Sequence, residues 1–367
     1  MNKRVVSVVA GAGILLAVGG VVLVASDPRV GPALMGQQVE QVALRGDVGG
    51  EKIEFLRDPE VMQILKDRHG VTVDARRAGS LAMARAPGQG ADFIWPAHDT
   101  AADLFRERGG VATGEDNVFS SPVVVLSWAP VTEALEKRGL VARRDGTYYI
   151  VDLRRLMDDV RAEVPWASLG LPQLSGAVSV VSTHPAASNS GATFAALVAT
   201  VFNEGRTPTP ADMDRVGPDV RRVFERLGRM EDSSGRIFRQ FLTQGMGSFP
   251  LMVAYENQLI EHWDQAPEAE RTLLTDRVRV LYPVPTAWAT HPLLALTPKG
   301  RRLVGALRDP AIRRIAWTRH GFRLPGDGGE RPAAAARLGM PETVTGVVRM
   351  PSTAAFERML DRFIPEN

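Results

Sequence analysis

An α/β fold is what this sequence predicts, and three observations carry it. From Val71 to Gly110, short β-rich runs alternate with helices of about ten residues, the rhythm of a parallel sheet covered on both faces. Asp58-Pro59, Thr297-Pro298 and Asp309-Pro310 each read as an N-cap followed by a first-turn proline, so helices start there. Between Ser175 and Phe202 a β-rich run (Gly176 to Val181) meets a loop crowded with hydroxyls (Ser182 to Ser190). A helical repeat then resumes with Phe194, Leu197, Val198 and Val201. That order, strand then polar loop then helix, gathers hydroxyls and unpaired helix N–H groups at one point, which favours an anion or another acceptor. The plainer reading is that Ser188, Asn189 or Ser190 caps the helix.

Composition narrows the classes. The chain has 367 residues with 44% hydrophobic and 23% charged, enough for two domains, and it has no Cys, which excludes disulfides and Cys-based metal sites. The formal net charge is +2, and Lys occurs only at positions 3, 52, 66, 137 and 299, so most of the positive charge is Arg. These Arg are scattered along expected helices rather than clustered with aromatics, which speaks for a solvated surface and against a nucleic-acid partner.

The amino terminus indicates export. Lys3 and Arg4 precede an uncharged apolar run from Val5 to Ala25, long enough to span a bilayer. Either it stays as an anchor, or it is cleaved as a signal near Val24-Ala25-Ser26. The positive end stays in the cytoplasm, so both options place the rest of the chain outside.

Taken in order, 1–26 is the anchor or signal, and 27–50 reads as a spacer. Ile53 to Leu56 reads as a short strand or the start of a loop. A helix runs from Pro59 to Gly70, strands cover Val71–Ala75 and Ala91–Trp95, and a further helix ends at Gly109-Gly110. Val123–Ser127 and Tyr148–Val151 are strands, and Asp152 caps a helix carrying Leu153, Leu156, Met157 and Val160. Helices follow around Val220–Leu227 and Ser234–Gln244, with strands at Leu251–Tyr255 and Val278–Tyr282. Beyond Leu324 the chain loosens before a closing amphipathic helix, Ala354–Phe363.

Enzyme signatures are missing. The sequence has no G-x-x-x-x-G-K-[ST], G-x-S-x-G or H-E-x-x-H, and its six His residues form no local metal set. No base or oxyanion motif accompanies Ser80 or Ser190 as a nucleophile. What recurs is polar residues where expected strands end: Gly79-Ser80, Asp92, Ser120-Ser121, the loop with Thr183, His184, Ser188, Asn189 and Ser190, and Tyr255-Glu256-Asn257-Gln258. Each has a bland explanation as a cap or turn. Together they suggest a cleft, because ligands bind outside the carboxyl ends of strands in an open parallel sheet.

Six segments in this order, FLRDPEVMQILKDRHGVTVDARRAGSLAMA, ADFIWPAH, FSSPVVVLSW, VVSTHPAASNSGATFAAL, PLMVAYENQLIE and VRVLYPVPTAW, followed by DPAIRRIAWTRHGFR, resemble the bacterial extracellular solute-binding proteins of the type II periplasmic-binding fold. Those are the receptors of ABC importers, and the resemblance lies nearest the sulfate, phosphate and molybdate binders. It implies a two-lobed fold of mainly parallel sheets flanked by helices, with hinge crossings near Trp128 and Tyr282. The lobes would be 51–128 with 282–323, and 129–281, followed by a tail over 324–367. A small polar solute or oxyanion would be held between them without catalysis or cofactor and delivered to an importer permease by a monomeric, extracytoplasmic receptor. The alternative is a membrane-anchored sensor or scaffold that keeps the fold without transport. The resemblance implies ligand contacts at Gly79, Ser80, Ser188, Asn189, Ser190 and Tyr255, and Ser120, Ser121, Thr183, Asp92 and Glu256 join them as candidates by their place beside expected strands. Asp92 and Glu256 depart from an oxyanion pattern, since a carboxylate repels a fully ionised anion.

Overall fold

The structure, a computed structural model, describes residues 39–145, 148–228, 230–324 and 330–366. The apolar run Val5–Ala25 lies outside them. Among the described residues no helix is long and apolar enough to cross a membrane.

The first stretch runs β1 (Val42–Val48), a 3-10 turn over Gly50–Lys52, α1 (Ile53–Arg57), α2 (Pro59–His69), β2 (Val71–Arg77), α3 (Ser80–Arg85), β3 (Phe93–Trp95), α4 (Asp99–Glu107) and β4 (Gly114–Asn117). The middle runs β5 (Ser121–Trp128), α5 (Ala129–Lys137), β6 (Val141–Arg144), β7 (Tyr148–Asp152), α6 (Leu153–Arg161), α7 (Asn189–Phe202), α8 (Pro210–Leu227), α9 (Ser234–Gln244), β8 (Leu251–Tyr255), α10 (Glu256–Gln265), α11 (Glu268–Arg277), β9 (Val278–Val284) and β10 (Trp288–Ala289). The last holds β11 (Pro292–Ala295), α12 (Arg301–Ala306), α13 (Pro310–Thr318), α14 (Ala333–Arg337) and α15 (Thr353–Phe363).

The Asp-Pro starts form as their chemistry dictates. Asp58 accepts from the N–H groups of Glu60 (2.9 Å) and Val61 (3.2 Å), and Asp309 accepts from that of Ala311 (2.8 Å). Gly70 ends α2 at φ 62°, a left-handed turn that glycine takes without strain. Thr297 behaves differently: its hydroxyl accepts from Gly300 N, and the helix begins only at Arg301.

Two sheets result. The first has the order β2-β1-β3-β11-β4, with β1 parallel to β2 and β3, and β11 antiparallel to β3 and β4. In the second, β5 pairs antiparallel with β8 on one side and with β9 and β10 on the other, and β9 continues parallel to β7, which pairs with β6. The chain passes from the first sheet to the second between Asn117 and Ser121, ahead of the expected Trp128. It returns between Ala289 and Pro292, past the expected Tyr282. Each sheet carries its own helices, giving two lobes joined where β5 and β10 lie side by side.

Three local expectations change. Val42–Val48, expected to belong to a spacer, is a strand between β2 and β3, and Ile53–Arg57 is a helix, neither the short strand nor the loop start expected for Ile53 to Leu56. Gly176–Val181 is irregular, tied only through isolated bridges from Ala177 to Pro165 and from Val181 to Met252. An apolar run needs a free strand edge to become a strand, and the edge of β8 offers this one a single bridge.

Burial follows the pleat. On β5, Val123 and Val125 enter one core cluster while Val124 and Leu126 enter another, the period of two expected of a strand covered on both faces. Leu44, Phe55, Ile64, Leu303, Ile315 and Phe322 fill the outer face of the first sheet. Its inner face, with Ile94 and Leu294, is continuous with Val123, Phe194 and Leu197 of the second lobe. The closing amphipathic helix forms as expected: α15 buries Ala355, Phe356, Met359 and Leu360 and sets Phe363 where a side chain on Gly217 would stand, 2.4 Å from an added Cβ. The same segment reaches the first lobe, where Thr100 Oγ1 donates to the Pro351 carbonyl at 3.1 Å.

Candidate functional site

The ends of β1, β3 and β8, and the starts of β5, β11 and α7, converge between the lobes. Gly79, before α3, faces the loop before α7 so closely that a Cβ would stand 2.9 Å from the Ala187 carbonyl oxygen. Gly191 has no room at all, since its Cβ would lie 2.1 Å from Thr183 O, which wraps the polar loop onto the first turn of α7.

The expected site residues divide into three groups. The hydroxyls of the polar loop are spent on one another: Thr183 Oγ1 and Ser190 Oγ are 2.9 Å apart, and Ser188 Oγ is 3.2 Å from Ser190 Oγ. Ser80 Oγ accepts from Ala97 N (2.9 Å), Ser121 Oγ from Asn257 N (3.3 Å), and Ser120 Oγ donates to Arg323 O (3.2 Å). Ser80 and Ser121 use an acceptor lone pair in these bonds and keep their own O–H, while Asn189 is buried in the first turn of α7.

Asp92 and Glu256 are each paired within the chain. Asp92 sits at the opposite end of β3 and accepts from Arg45 N, Thr297 Oγ1 and Lys299 Nζ, each at 3.0 Å. Glu256 is fully buried and held by Arg323, whose Nε and Nη2 lie 3.0 and 3.1 Å from its two oxygens, and by Tyr282 Oη at 3.0 Å. Both carboxylates are matched by cations, so the conflict they posed for an anionic ligand falls away.

Tyr255 does belong to the convergence, together with residues the sequence reading passed over. Glu51 and Lys52, at the end of β1, form a fully enclosed ion pair. Lys52 Nζ also lies 3.1 Å from His291 Nδ1 and 5.7 Å from the centre of the Trp95 ring. The His291 ring meets that of Tyr255 at 6.3 Å. His98, one turn from β3, accepts at Nδ1 from Ala101 N (3.2 Å), which places the proton of its neutral form on Nε2. Among the described residues eight buried side-chain atoms lack a hydrogen bond of normal geometry; six of them are His98 Nε2, His291 Nε2, Tyr255 Oη, Thr193 Oγ1, and Asn257 Nδ2 and Oδ1, of which the Tyr255 and Thr193 hydroxyls act on one another, and the other two are Asp159 Oδ2 and Thr353 Oγ1. Orphaned buried polar groups are rare and call for an explanation.

The electrostatics define their states. Burial pushes His98 and His291 down to about 4, the Lys52 ammonium adding to the effect on His291, so both rings are neutral at pH 7; His291 Nδ1 stands between Lys52 Nζ at 3.1 Å and Glu51 Oε1 at 3.5 Å, and which of the two it serves decides which nitrogen carries its proton. Burial also lowers Lys52, opposed by the Glu51 charge, and raises the Tyr255 phenol well above its ordinary value. Burial alone would raise Glu51, yet Lys52 and His291 carry it below the carboxylate range. The convergence is therefore formally neutral and rich in donors. Among the described residues no group of three or more His, Asp and Glu is set to hold a metal ion.

These histidines make the fold acid-sensitive. The unfolded chain takes up their protons near pH 6.5 and the folded chain only near 4, so their contribution is complete above 6.5 and is lost as pH falls toward 4. For His98 alone this amounts to about 3 kcal/mol. His98→Asn, which keeps an acceptor for Ala101 N, is expected to flatten the pH dependence of the urea midpoint between 6.5 and 4. An unchanged slope would show that His98 protonates freely in the folded chain.

Known structures share this architecture. The sulfate-binding protein SubI from Mycobacterium tuberculosis H37Rv superposes with a TM-score of 0.53 at 16% identity, over 84% of this chain and 94% of that one. A periplasmic thiamin binding protein gives 0.58 at 10% identity, over 89% and 97%. The chain has the type II periplasmic-binding fold. The periplasmic binding protein AfuA from Actinobacillus pleuropneumoniae, with fructose-6-phosphate bound, matches this fold at 0.53 and 12% identity, over 88% and 97%. No family model and no curated protein matches the sequence.

Proposed function

We propose that this protein is an extracytoplasmic solute receptor that captures a small polar solute between its two lobes and delivers it to an ABC importer. The single observation that carries the reading is a set of buried polar groups, His98 Nε2, His291 Nε2, the Asn257 amide and the Tyr255–Thr193 hydroxyl pair, that find no partner outside the set. Imidazole N–H, phenol, hydroxyl and amide groups suit a ligand that offers several acceptors, such as an oxyanion, and the pairing of Glu51 with Lys52 leaves no net charge to oppose it. The fold supports this, since proteins that share it bind sulfate or thiamin. The apolar amino-terminal run supports export, either anchored or cleaved.

A second reading has its own observation. Lys52 places its ammonium among Glu51, His291 and Trp95 inside the cleft, and the apolar core runs continuously from one lobe to the other. A scaffold or sensor that stays closed without solute has these features too.

Tyr255→Phe separates the two. Its hydroxyl acts on that of Thr193 alone, so its loss costs about 1 kcal/mol of stability or less, but it weakens a solute that accepts from it by about ten- to hundredfold. Native mass spectrometry of the purified protein, followed by calorimetric titration with sulfate, phosphate and molybdate, measures this. If no solute co-purifies and none of the three binds, the scaffold reading stands.

A further inference from the structure

A third buried histidine lies on a different contact between the lobes. His320 follows α13, and its neighbour Phe322 belongs to the core of the first lobe. Its ring is packed edge-on against Phe55 at 5.5 Å and is 2% exposed. Nε2 lies 3.2 Å from Asp58 Oδ2, the cap of α2 in the first lobe. Nδ1 meets Glu261 Oε1 on α10, a helix whose Leu259, Ile260 and Trp263 are seated in the core of the second lobe.

Both ring nitrogens thus face carboxylate oxygens, and an ionised carboxylate only accepts. A neutral imidazole has one N–H and serves one of the two; the imidazolium serves both. We propose that His320 is a pH-controlled tie between the lobes: protonated, it joins Asp58 to Glu261, and deprotonated, it releases the second lobe.

The surroundings agree. Asp58 also receives Arg319, at 3.2 Å, and two backbone N–H groups. Arg319 reaches Glu60, which Arg314 approaches at 3.9 Å. Around Glu261, Glu54 and His262 act at longer range with opposite signs, and His262 is itself paired with Glu270 at 2.9 Å. Glu261 therefore has His320 as its close cation. Burial lowers His320, but its two carboxylates outweigh burial and hold it above its ordinary value. For a raised histidine the bound proton stabilises the contact fully below about pH 6.5, and this is lost as pH rises through the folded value. Each unit by which the pKa drops when the lobes part multiplies the open-to-closed ratio above that pH by about ten.

The inference needs lobe motion but no particular solute, so it fails or holds independently of which ligand binds. The chain has no Cys. Met62→Cys on the first lobe and Leu273→Cys on the second, both exposed, therefore take a spin-label pair at unique positions. Distance distributions of the full chain, recorded without solute from pH 5.5 to 9, are expected to lengthen as pH rises. That response should vanish in His320→Gln and in the milder Glu261→Gln. Imidazole NMR, with His320 assigned by its loss in His320→Gln, should show its pKa falling in Glu261→Gln. A distance distribution that ignores pH, a pH response that survives either substitution, or a His320 pKa unmoved by Glu261→Gln overturns the proposal.

Discussion

Glu51→Gln is expected to destabilise the protein by about 3–5 kcal/mol, the cost of leaving a buried charge without its partner. Lys52 has no access to solvent, and its other close polar neighbour is His291 Nδ1, on a neutral ring that cannot balance a full charge. Lys52 has two ways to respond. It sheds its proton, or the end of β1 opens to admit water. Glu51→Gln with Lys52→Met removes both charges and is expected to recover most of the loss, because an apolar replacement of a buried pair is often neutral or better. Urea denaturation of the two variants measures this. Equal stability of Glu51→Gln and the parent would mean that Lys52 is already neutral in the folded chain.

Arg323→Met should cost about as much, roughly 3–5 kcal/mol, for the complementary reason that Glu256 then keeps a buried charge with only Tyr282 donating to it. Arg323 also donates to the carbonyls of Pro341 and Glu342, at 2.6 and 2.5 Å, and its own backbone pairs with Ser120. Its removal therefore loosens the passage between the sheets as well as the carboxylate. Burial already raises Glu256, so the variant's loss should shrink as pH falls and Glu256 takes up a proton. A loss independent of pH would assign the effect to the carbonyl contacts instead.

Much of the fold was legible because its signals are local. Asp58-Pro59 and Asp309-Pro310 start helices by their own side chains, and the β-branched run of β5 can lie nowhere but between two layers. β1 was illegible although Val42, Leu44 and Val48 alternate with Arg45 and Asp47, because Gly46 and the Gly49-Gly50 that follows give the run the composition of a loop. Asp47 is in fact buried, and it is matched by Arg76 Nε at 2.8 Å and Gly88 N at 2.7 Å, partners that no local pattern announces. The site shows the same divide. Tyr255 and the neighbouring Asn257 stand at a strand end that the sequence displays. Glu51-Lys52 after two glycines reads as a solvated turn, and His98 and His291 meet only because β11 lies antiparallel beside β3. Asp92 and Glu256 misled as carboxylates at strand ends, since the cations that neutralise them are Lys299 and Arg323, far along the chain.

The position of β11 bears on how the chain is made. Pro292–Ala295 is inserted between β3 and β4, whose residues are synthesised long before it. Until that segment has left the ribosome, β4 has no neighbour in its sheet and β3 has one bare edge, so the first lobe cannot complete its sheet from its own amino-terminal half. Non-local pairing of this kind folds slowly, because a long loop must close before any contact rewards it. Completion of the first sheet is thus deferred until the residues of β11 have been made.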